Sequence, residues 1–346
     1  MKIDYLIVGQ GLAGSLLAWR LIQHGQTIRM IDDGRQNASQ VAAGLINPVT
    51  GMRLVKAPDT DRQLHLARCF YRHLEGFFDQ TFFFEKPMLR LLSDEKEQQR
   101  AHKRCQSPEY QRFLSTILPH YPGLHSPFGL LQQQQTAYLT TKPLLACLRQ
   151  WFKQHGILIN DRFNPADLTL STPLTWRGLT VERLIFCQGH ENLENPWFDY
   201  LPLKPVKGEI LTAFSPLPLI DRLLNYGHWF IPLDKHMFKS GASFDRDTRD
   251  TQPTARVRQQ LLAHLERVYP TAAAHAEIHQ HQAGIRPTTA DRKPFIGPHP
   301  AHKNIYIFNG FGAKGSLQIP YYSQCFIRHL LHNHPLPTDC DIRRYA

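Results

Sequence analysis

Residues 4–14 read DYLIVGQGLAG, a short apolar run followed at once by three spaced glycines. The apolar run is typical of a strand that is covered on both faces of a parallel sheet. Gly9, Gly11 and Gly14 match the pattern G-x-G-x-x-G. In this pattern the first glycine permits a sharp turn, the second lets a diphosphate approach the backbone, and the third lets the next helix pack closely on the strand.

The residues that follow complete a βαβ unit. We predict a helix over residues 15–24, ended by Gly25, and a second strand over residues 27–31. The N-terminus of such a helix attracts anions through its free N–H groups and its dipole. Asp32 follows the second strand, where a carboxylate can accept both hydrogen bonds of a ribose diol. The unit therefore predicts a dinucleotide site. Asp33 is the competing acid and is interpreted as a solvated loop residue, because Asp32 directly follows the apolar strand.

Length and composition are those of an ordinary globular protein. The chain has 346 residues, 42% of them hydrophobic and 20% charged, and this length suits two interlocked domains. No apolar run approaches the roughly 20 residues of a membrane span, and the chain starts directly with a strand of the fold. We therefore predict a cytoplasmic protein.

The cysteines and histidines predict neither disulfides nor a metal site. The six cysteines show no C-x-x-C spacing and are interpreted as reduced, mostly structural thiols. The pair His279 and His281 and the pair His332 and His334 have no nearby partner ligands in the sequence. Exposed histidines are therefore favoured over a metal centre.

The chain is basic, with a formal net charge of +11 and a pI of about 9.4. Such a balance favours anionic partners, whether acidic substrates, a phosphate-rich cofactor or nucleic acid. Lysine and arginine are dispersed, however, and no basic run is interleaved with aromatic residues. We therefore interpret the charge as a solubility feature and do not expect a nucleic-acid-binding face.

Two interleaved sets of segments differ in their pattern. Residues 1–80, 140–203 and 284–346 have the βα rhythm of a parallel sheet, whereas residues 81–139 and 204–283 favour a half-exposed antiparallel or mixed sheet with helices. The predicted fold class is α/β. We expect a Rossmann-type nucleotide-binding domain on a mostly parallel sheet, and an α+β substrate domain formed by the second set of segments.

Periodicity and capping signals place the remaining elements. Helices are predicted over residues 60–78, 94–104, 141–154, 254–268 and 316–332, with Asp59 or Thr60 and Thr141 as caps. Strands are predicted over residues 82–84, 88–92, 157–159, 184–187, 208–214, 229–231, 238–242 and 305–308. The stripe Leu64, Ala67, Phe70, Leu74 and Phe77 is predicted core, and the glutamine run 132–135 is predicted to be a solvated turn.

Two further glycine-containing segments are candidates for ligand contact. Residues 309–315, NGFGAKG, open onto the last predicted helix and form a second candidate anion site. Residues 42–44, AAG, would let the backbone lie against a flat group, although Gly44 and Pro48 would also produce a simple turn.

Taken together, these motifs are similar to those of FAD-dependent oxidoreductases of the D-amino-acid oxidase superfamily, nearest the glycine oxidase and sarcosine oxidase branch. The resemblance rests on the N-terminal fingerprint with Asp32, on residues 42–44 and 205–209, on the block 284–297 and on the turn 310–315. The motifs occur in the family's order and span nearly the whole chain.

The resemblance implies one FAD. It would be bound non-covalently, because relatives with covalent flavin carry a cysteine where this chain has Arg286. The turn at residues 9–14 would bind the pyrophosphate, and Asp32 would bind the adenosine ribose. The segment 39–45 would line the ribityl chain, and the turn 310–315 would surround the flavin ring. The implied cofactor-binding residues are Gly9, Gly11, Leu12, Ala13, Gly14, Asp32, Asp33, Ser39, Ala42, Ala43, Gly44, Leu45, Phe163, Gly189, Gly310, Gly312, Ala313, Lys314, Gly315 and Ser316.

The resemblance also implies a substrate site. Arg286 stands where the family binds a substrate carboxylate, and an arginine fork can satisfy both carboxylate oxygens. The alternative for Arg286 is a surface salt bridge with Asp291. Lys314 would bring a second cation to the flavin, or would be a solvated loop lysine. Trp229 replaces a substrate-contacting tyrosine, with Tyr226 close by, so both are candidates for shaping the substrate site.

The activity implied by the resemblance is oxidation of the C–N bond of an amino acid or secondary amine that carries a carboxylate. A hydride would pass to flavin N5, and the resulting imine would hydrolyse. Because the sequence has no second G-x-G-x-x-G for NAD(P)H, we expect oxygen or a quinone-type compound as electron acceptor.

Two alternatives stay open. The FAD domain of the bifunctional tRNA wobble-uridine modifying enzyme shares this architecture and removes a glycine-like arm. The basic pI favours that reading, whereas the partner methyltransferase domain is missing from these 346 residues. The second alternative is a non-catalytic flavoprotein subunit.

Overall fold

The computed structural model describes residues 2–345, which contain eight α-helices and nineteen strands. The helices are α1 (Leu12–Gln23), α2 (Ala38–Val41), α3 (Thr60–Phe78), α4 (Glu95–Gln106), α5 (Thr141–Gln154), α6 (Ala255–Val268), α7 (Pro270–Ala274) and α8 (Gly315–His332). The first strands are β1 (Lys2–Val8), β2 (Ile28–Ile31), β3 (Leu45–Ile46), β4 (Phe83–Glu85), β5 (Met88–Leu91), β6 (Leu114–Leu118), β7 (Leu130–Gln133), β8 (Ala137–Leu139) and β9 (Leu158–Ile159). The others are β10 (Leu168–Thr169), β11 (Leu174–Trp176), β12 (Leu179–Phe186), β13 (Val206–Phe214), β14 (Leu223–Asn225), β15 (Trp229–Pro232), β16 (Met237–Gly241), β17 (Glu277–Arg286), β18 (Phe295–Pro298) and β19 (Ile305–Asn309).

The first sheet is mostly parallel, as predicted. Its strand order is β10-β11-β12-β1-β2-β9, and β19 pairs with β12 and with β18. The strand β1 is parallel to both β2 and β12, and β12 is parallel to β19. The carboxyl ends of these four strands therefore meet at one edge, outside which open parallel sheets bind their ligands.

The second sheet has the order β17-β13-β16-β15-β14-β5-β7-β6 and is antiparallel except where β14 pairs with β5. It combines strands from residues 88–133 with strands from residues 206–286. The two segments that the sequence assigns to a substrate domain therefore share one sheet, although β17 crosses the predicted boundary between residues 283 and 284. A small third sheet, β3-β8-β4, lies outside these two.

The core follows the alternation of side chains along the strands. In β1, Tyr5 and Ile7 point to a cluster that includes residues of α1, α3, α5 and α8, whereas Leu6 and Val8 join a cluster on the other face. Phe230 of the second sheet packs with Leu265 of α6 in a separate core. Burial on both faces explains why β1 reads as a continuous apolar run.

The predicted boundaries hold to within a few residues, with identifiable exceptions. The helix α1 begins at Leu12, three residues before the predicted start, because Gly11 is already its N-cap. The prediction that Thr141 caps α5 is wrong, since the N-cap is Thr140 and the Thr141 hydroxyl donates to the Ala42 carbonyl at 3.1 Å. Asp59 is the N-cap of α3 but makes no side-chain capping bond.

The apolar stripe of α3 is core with one exception. Leu64, Ala67, Phe70 and Leu74 are buried, whereas Phe77 is 50% exposed. Phe77 lies at the outer side of the helix, where its ring packs edge-on against Trp19 at a centroid distance of 4.7 Å.

The glutamine run is a solvated turn only in its second half, since Gln134 is exposed and Gln135 lies in a bend. Gln132 and Gln133 belong to β7, and the Gln133 side chain is buried beneath the segment that follows β3. Its amide donates to the Val49 carbonyl at 3.0 Å and its oxygen accepts from Asn47 Nδ2 at 3.2 Å. Composition does not predict this role, because it does not distinguish a buried glutamine that hydrogen-bonds other polar groups from a glutamine in water.

We expect Gln133→Ala to destabilise the protein by about 1–3 kcal/mol, because it leaves the Asn47 amide and the Val49 carbonyl without their buried partner. The matched control is Gln134→Ala, one residue along and exposed, with an expected effect within about 0.5 kcal/mol. Urea denaturation followed by circular dichroism measures both. Equal stabilities of the two variants would contradict the assignment.

Candidate active site

A cavity of about 1660 Å³ runs between the first and second sheets. Its lining includes the carboxyl ends of β1, β2, β12 and β19 on one side and parts of β13, β15 and β17 on the other. This volume exceeds the roughly 300–1,000 Å³ of an ordinary ligand pocket, so the cavity has room for a large cofactor and a substrate together.

The cavity brings together most of the residues proposed from the sequence. The predicted residues that line it are Gly9, Gly11, Leu12, Ala13, Asp32, Asp33, Ser39, Ala42, Ala43, Gly44, Leu45, Phe163, Gly189, Trp229, Arg286, Gly310, Gly312, Ala313, Lys314, Gly315 and Ser316. Gly14 and Tyr226 are the two that do not line it. Residues far apart in sequence thus meet at the edge that the fingerprint predicts.

The first glycine turn is packed too closely for side chains. Gly9 has φ +102°, and a Cβ there would lie 2.6 Å from the Cys187 carbonyl oxygen. A Cβ on Gly14 would lie 2.0 Å from the Gly9 carbonyl oxygen, so Gly14 acts through helix packing beneath the turn. Around Gly11 the space is more open, with Ser39 Oγ at 3.3 Å from a built Cβ. The backbone at Gly11 can therefore be approached by a ligand.

A short capped helix fixes the neighbouring segment. Asn37 and Gln40 form a capping box on α2, and Ser39 Oγ accepts a hydrogen bond from the Leu12 N–H at 3.0 Å. Gly44 has φ +69°, and a Cβ there would lie 1.9 Å from the Leu139 carbonyl oxygen. The segment 42–44 is therefore held against β8 by close backbone packing and is more than a simple turn.

Asp32 is held by an arginine that the sequence did not reveal. Its carboxylate accepts from the Gln10 N–H at 2.8 Å, from the Gly34 N–H at 2.8 Å and from Arg149 Nη1 at 2.6 Å. Arg149 lies on α5, more than a hundred residues away in sequence, so no local signal pointed to it. Asp33 instead pairs with Arg35 at 2.6 Å near the surface.

The second glycine turn lines the same cavity as the first. Gly310 and Gly312 have φ of +81° and +53°, values that favour glycine. Asn309 Nδ2 donates to the Gly189 carbonyl at 2.8 Å, which ties this turn to the end of β12. The helix α8 begins at Gly315, and its first residues line the cavity. Its N-terminal dipole favours negative charge there.

Arg286 is a largely buried cation at the end of β17. Nη1 donates to the Ser243 carbonyl at 3.2 Å, and a Cβ on Gly208 would lie 2.1 Å from Nη2. Burial lowers the pKa of its guanidinium. Among residues 2–345 no carboxylate pairs with it, and Asp291, the alternative partner, pairs with Arg344 at 2.9 Å. The surface salt bridge between Arg286 and Asp291 is therefore wrong.

Trp229 and Tyr226 are placed differently. Trp229 lines the cavity and packs closely on Gly241. Tyr226 lies in the turn after β14, packs against the core of the second sheet and has its hydroxyl 3.0 Å from Ser240 Oγ. Burial raises the pKa of Tyr226 to about 12. Tyr226 is therefore not on the cavity lining, because the chain turns its side chain into the core.

Lys314 lies at the mouth of the cavity. Its residue surface is exposed, and Nζ donates to Thr50 Oγ1 at 3.2 Å. Surrounding protein atoms lower the pKa of Lys314, and Lys293 and Arg292 act in the same direction. It contacts the segment after β3 through this hydrogen bond, and within residues 2–345 no carboxylate pairs with it.

Phe163 lines the cavity beside a group of aromatic rings. It stacks with Trp176 at a centroid distance of 6.2 Å and meets Phe186 edge-on at 5.4 Å. All six cysteines are free thiols. Among residues 2–345, no three His, Cys, Asp or Glu side chains come together as a metal-binding group.

Comparison with known proteins identifies the family. The model of the family DAO, FAD dependent oxidoreductase, matches residues 4–327. The chain belongs to this family. FAD is therefore its cofactor, and the glycine-lined turn, Asp32 and the dipole of α1 fit the pyrophosphate and ribose of such a dinucleotide.

Individual relatives are distant. The chain is 25% identical to the tRNA 5-methylaminomethyl-2-thiouridine biosynthesis bifunctional protein MnmC of Acinetobacter baylyi, over 94% of this chain and 52% of that protein. It is 22% identical to the glycine oxidase of Pseudomonas aeruginosa, over 92% of each. The chain thus spans about half the length of the bifunctional relatives that it matches.

Two solved structures share the DAO-family fold over the whole chain. The glycine oxidase from Geobacillus kaustophilus superposes with a TM-score of 0.84 at 19% identity, covering 100% of this chain and 98% of that one. The iminodiacetate oxidase from Chelativorans sp. BNC1 superposes with a TM-score of 0.83 at 20% identity, covering 99% and 98%.

We expect Asp32→Asn to raise the dissociation constant for FAD about 10- to 100-fold. An amide accepts fewer hydrogen bonds than the carboxylate and leaves Arg149 without its charged partner. The control is Asp33→Asn, which removes the adjacent charge and should change the constant less than about 3-fold. Fluorescence titration of apoprotein with FAD measures both. A larger increase of the dissociation constant in the Asp33 variant would indicate that Asp33, and not Asp32, binds the ribose.

Proposed function

We propose that this protein oxidises the C–N bond of an amino acid or secondary amine that carries a carboxylate, giving an imine that hydrolyses. The observation that carries the proposal is Arg286, a largely buried cation without a carboxylate partner among residues 2–345, which lines the same cavity as the glycine turns. A buried charge of this kind is costly unless an anion pairs with it.

Arg286 is suited to binding a carboxylate. Only one of its N–H groups is used within the described chain, to the Ser243 carbonyl, so the fork keeps donors for two carboxylate oxygens. Gly208 lets the guanidinium lie flat against β13 and fixes its position. A substrate anchored in this way presents its Cα–H in a defined direction, and such positioning supplies much of the rate in reactions of this class.

The rest of the chemistry divides between cofactor and chain. FAD, when bound, supplies the two-electron acceptor for the Cα hydrogen and its electron pair. The chain binds and orients the substrate through Arg286, with Trp229 as an apolar wall. An amine that binds in its neutral form needs no side chain as a strong base. The imine then reacts with water to give the carbonyl product and the free amine.

The relatives support an amine-oxidising reaction. Glycine oxidase and iminodiacetate oxidase share the fold over nearly the whole chain, and both are named for amino-acid substrates. Oxygen or a quinone-type compound as electron acceptor remains a prediction, as does a cytoplasmic location. None of the helices in residues 2–345 combines the length and apolarity needed to cross a membrane.

A second candidate function is removal of a glycine-like arm from a modified tRNA base. The relatives named for tRNA 5-methylaminomethyl-2-thiouridine biosynthesis favour it, as does the net charge of +11. Binding of tRNA at low salt that falls steeply as salt rises would support this candidate, and no binding at low salt would exclude it.

The first test is anaerobic flavin reduction by glycine, sarcosine, D-amino acids and proline. We expect at least one of these compounds to bleach the flavin absorption band. The Arg286→Ala variant should lower the second-order rate constant of flavin reduction about 100-fold or more, because a charge-assisted, bidentate contact with the carboxylate is lost. Arg256→Ala, an exposed arginine on α6, is the control for loss of one charge. Bleaching by none of these compounds would favour a non-catalytic flavoprotein.

We expect Gly208→Ala to weaken substrate binding by displacing the Arg286 guanidinium, since the added Cβ would lie 2.1 Å from Nη2. The apparent affinity for a carboxylate substrate should fall about 10-fold or more while FAD content is unchanged. Gly76→Ala is the matched control, because nothing lies within 4 Å of a Cβ built on that helical glycine. Unchanged affinity in the Gly208 variant would refute the anchoring geometry.

A further inference from the structure

The loop between β16 and α6, residues 242–254, forms part of the cavity mouth. It follows directly on the anchoring site, since the Ser243 carbonyl is the acceptor for Arg286 Nη1 at 3.2 Å. Phe244, Arg246 and Arg249 of this loop all line the cavity. A substrate held at Arg286 therefore has the loop beside it.

Two buried side chains of β13 pin the base of the loop. Lys207 exchanges backbone hydrogen bonds with Asp245 at 2.8 and 3.0 Å, and Lys207 Nζ donates to Asp250 Oδ1 at 2.7 Å and to the Gln252 carbonyl at 2.6 Å. Glu209 Oε2 accepts from the Thr254 N–H at 2.9 Å. The loop is thus a fixed structure with its ends tied to the sheet.

Three side chains that point outward from the loop, Phe244, Arg246 and Arg249, are exposed. Phe244 is 64% exposed although it lines a cavity, and Arg246 lies over its ring at 5.2 Å from the centroid. Within residues 2–345, neither Arg246 nor Arg249 is paired with a carboxylate, and Arg249 makes no hydrogen bond. An exposed ring with one guanidinium over it and a second unpaired guanidinium on the same cavity lining is a surface that an aromatic anion complements.

We propose that Phe244, Arg246 and Arg249 form an outer subsite that binds an aryl group bearing an anionic substituent. This inference rests on the proposed function for the inner end, where Arg286 takes the carboxylate. The substrate class is then an amino acid whose substituent is large, aromatic and acidic, with the reacting C–N bond inside the cavity and the aryl anion at its mouth. Glycine and sarcosine fill only the inner end.

Binding of non-oxidisable ethers tests the subsite without turnover. The probes are methoxyacetate, benzyloxyacetate and (4-carboxybenzyl)oxyacetate, which share the inner carboxylate and add first a ring and then a second anion. Isothermal titration calorimetry on the FAD-loaded protein gives each dissociation constant. We expect the ring to tighten binding about 10-fold and the second carboxylate about 10-fold more.

Variants of the loop show which residues produce the gain in affinity from the ring and which produce the gain from the second carboxylate. Phe244→Ala should remove most of the gain from the ring, and the double variant Arg246→Ala with Arg249→Ala should remove the gain from the second carboxylate. Neither should change methoxyacetate affinity more than about 2-fold. Phe77→Ala and Arg256→Ala, an exposed ring and an exposed cation outside the cavity lining, are the matched controls and should leave all three affinities unchanged.

Three probes that bind within 2-fold of one another would overturn the proposal, as would loop variants that weaken all three equally or controls that act like the loop variants. Failure of the proposed function gives a different result. In that case Arg286→Ala leaves methoxyacetate affinity unchanged or no amine bleaches the flavin, while the gains from ring and second anion are still measured directly by calorimetry.

Discussion

The structure depends on the close approach of backbone to backbone at the end of β1. Gly14 stands against the Gly9 carbonyl, and Gly9 against the Cys187 carbonyl, at distances that leave no room for a Cβ. This packing sets the start of α1 at Leu12 and brings the positive end of its dipole to the sheet edge. Asp32 and the segment around Ser39 are then fixed by hydrogen bonds to the same turn, through the N–H groups of Gln10 and Leu12.

The parts of the fold that sequence predicts are those where one local pattern suffices. The βαβ unit, the helices α3 and α5, and the turn before α8 follow from periodicity and glycine spacing, and the structure has them nearly at the predicted bounds. Short strands such as β3, β10 and β11 were not predicted, because two or three residues carry no period. Their partners lie far along the chain or across a turn, and pairing decides their structure.

The candidate site also divides into positions that local sequence patterns predict and positions that tertiary contacts decide. Nearly all of the predicted cofactor-binding positions line the cavity, and most of them are glycines or other small residues. The roles of Arg149, Gln133 and the loop with Phe244 do not follow from the sequence, because they come from tertiary neighbours. Closeness in sequence does not place Tyr226 on the cavity lining with Trp229, because its hydroxyl lies against Ser240 Oγ in the second sheet.

The partners of the buried cations distinguish between the candidate functions. The basic surface is dispersed, and most buried or half-buried cations have a partner: Arg90 with Glu97, Arg149 with Asp32, and Lys207 with Asp250. Within residues 2–345, Arg286 lines the cavity with only a carbonyl contact, whereas Arg20, which also lacks a carboxylate, donates to Ser323 Oγ and the Pro320 carbonyl inside the core. A flavoprotein that kept FAD only for structure would gain nothing from such a cation, because its desolvation lowers stability. The proposed carboxylate-binding site accounts for such a cation, since the substrate would then supply the missing anion.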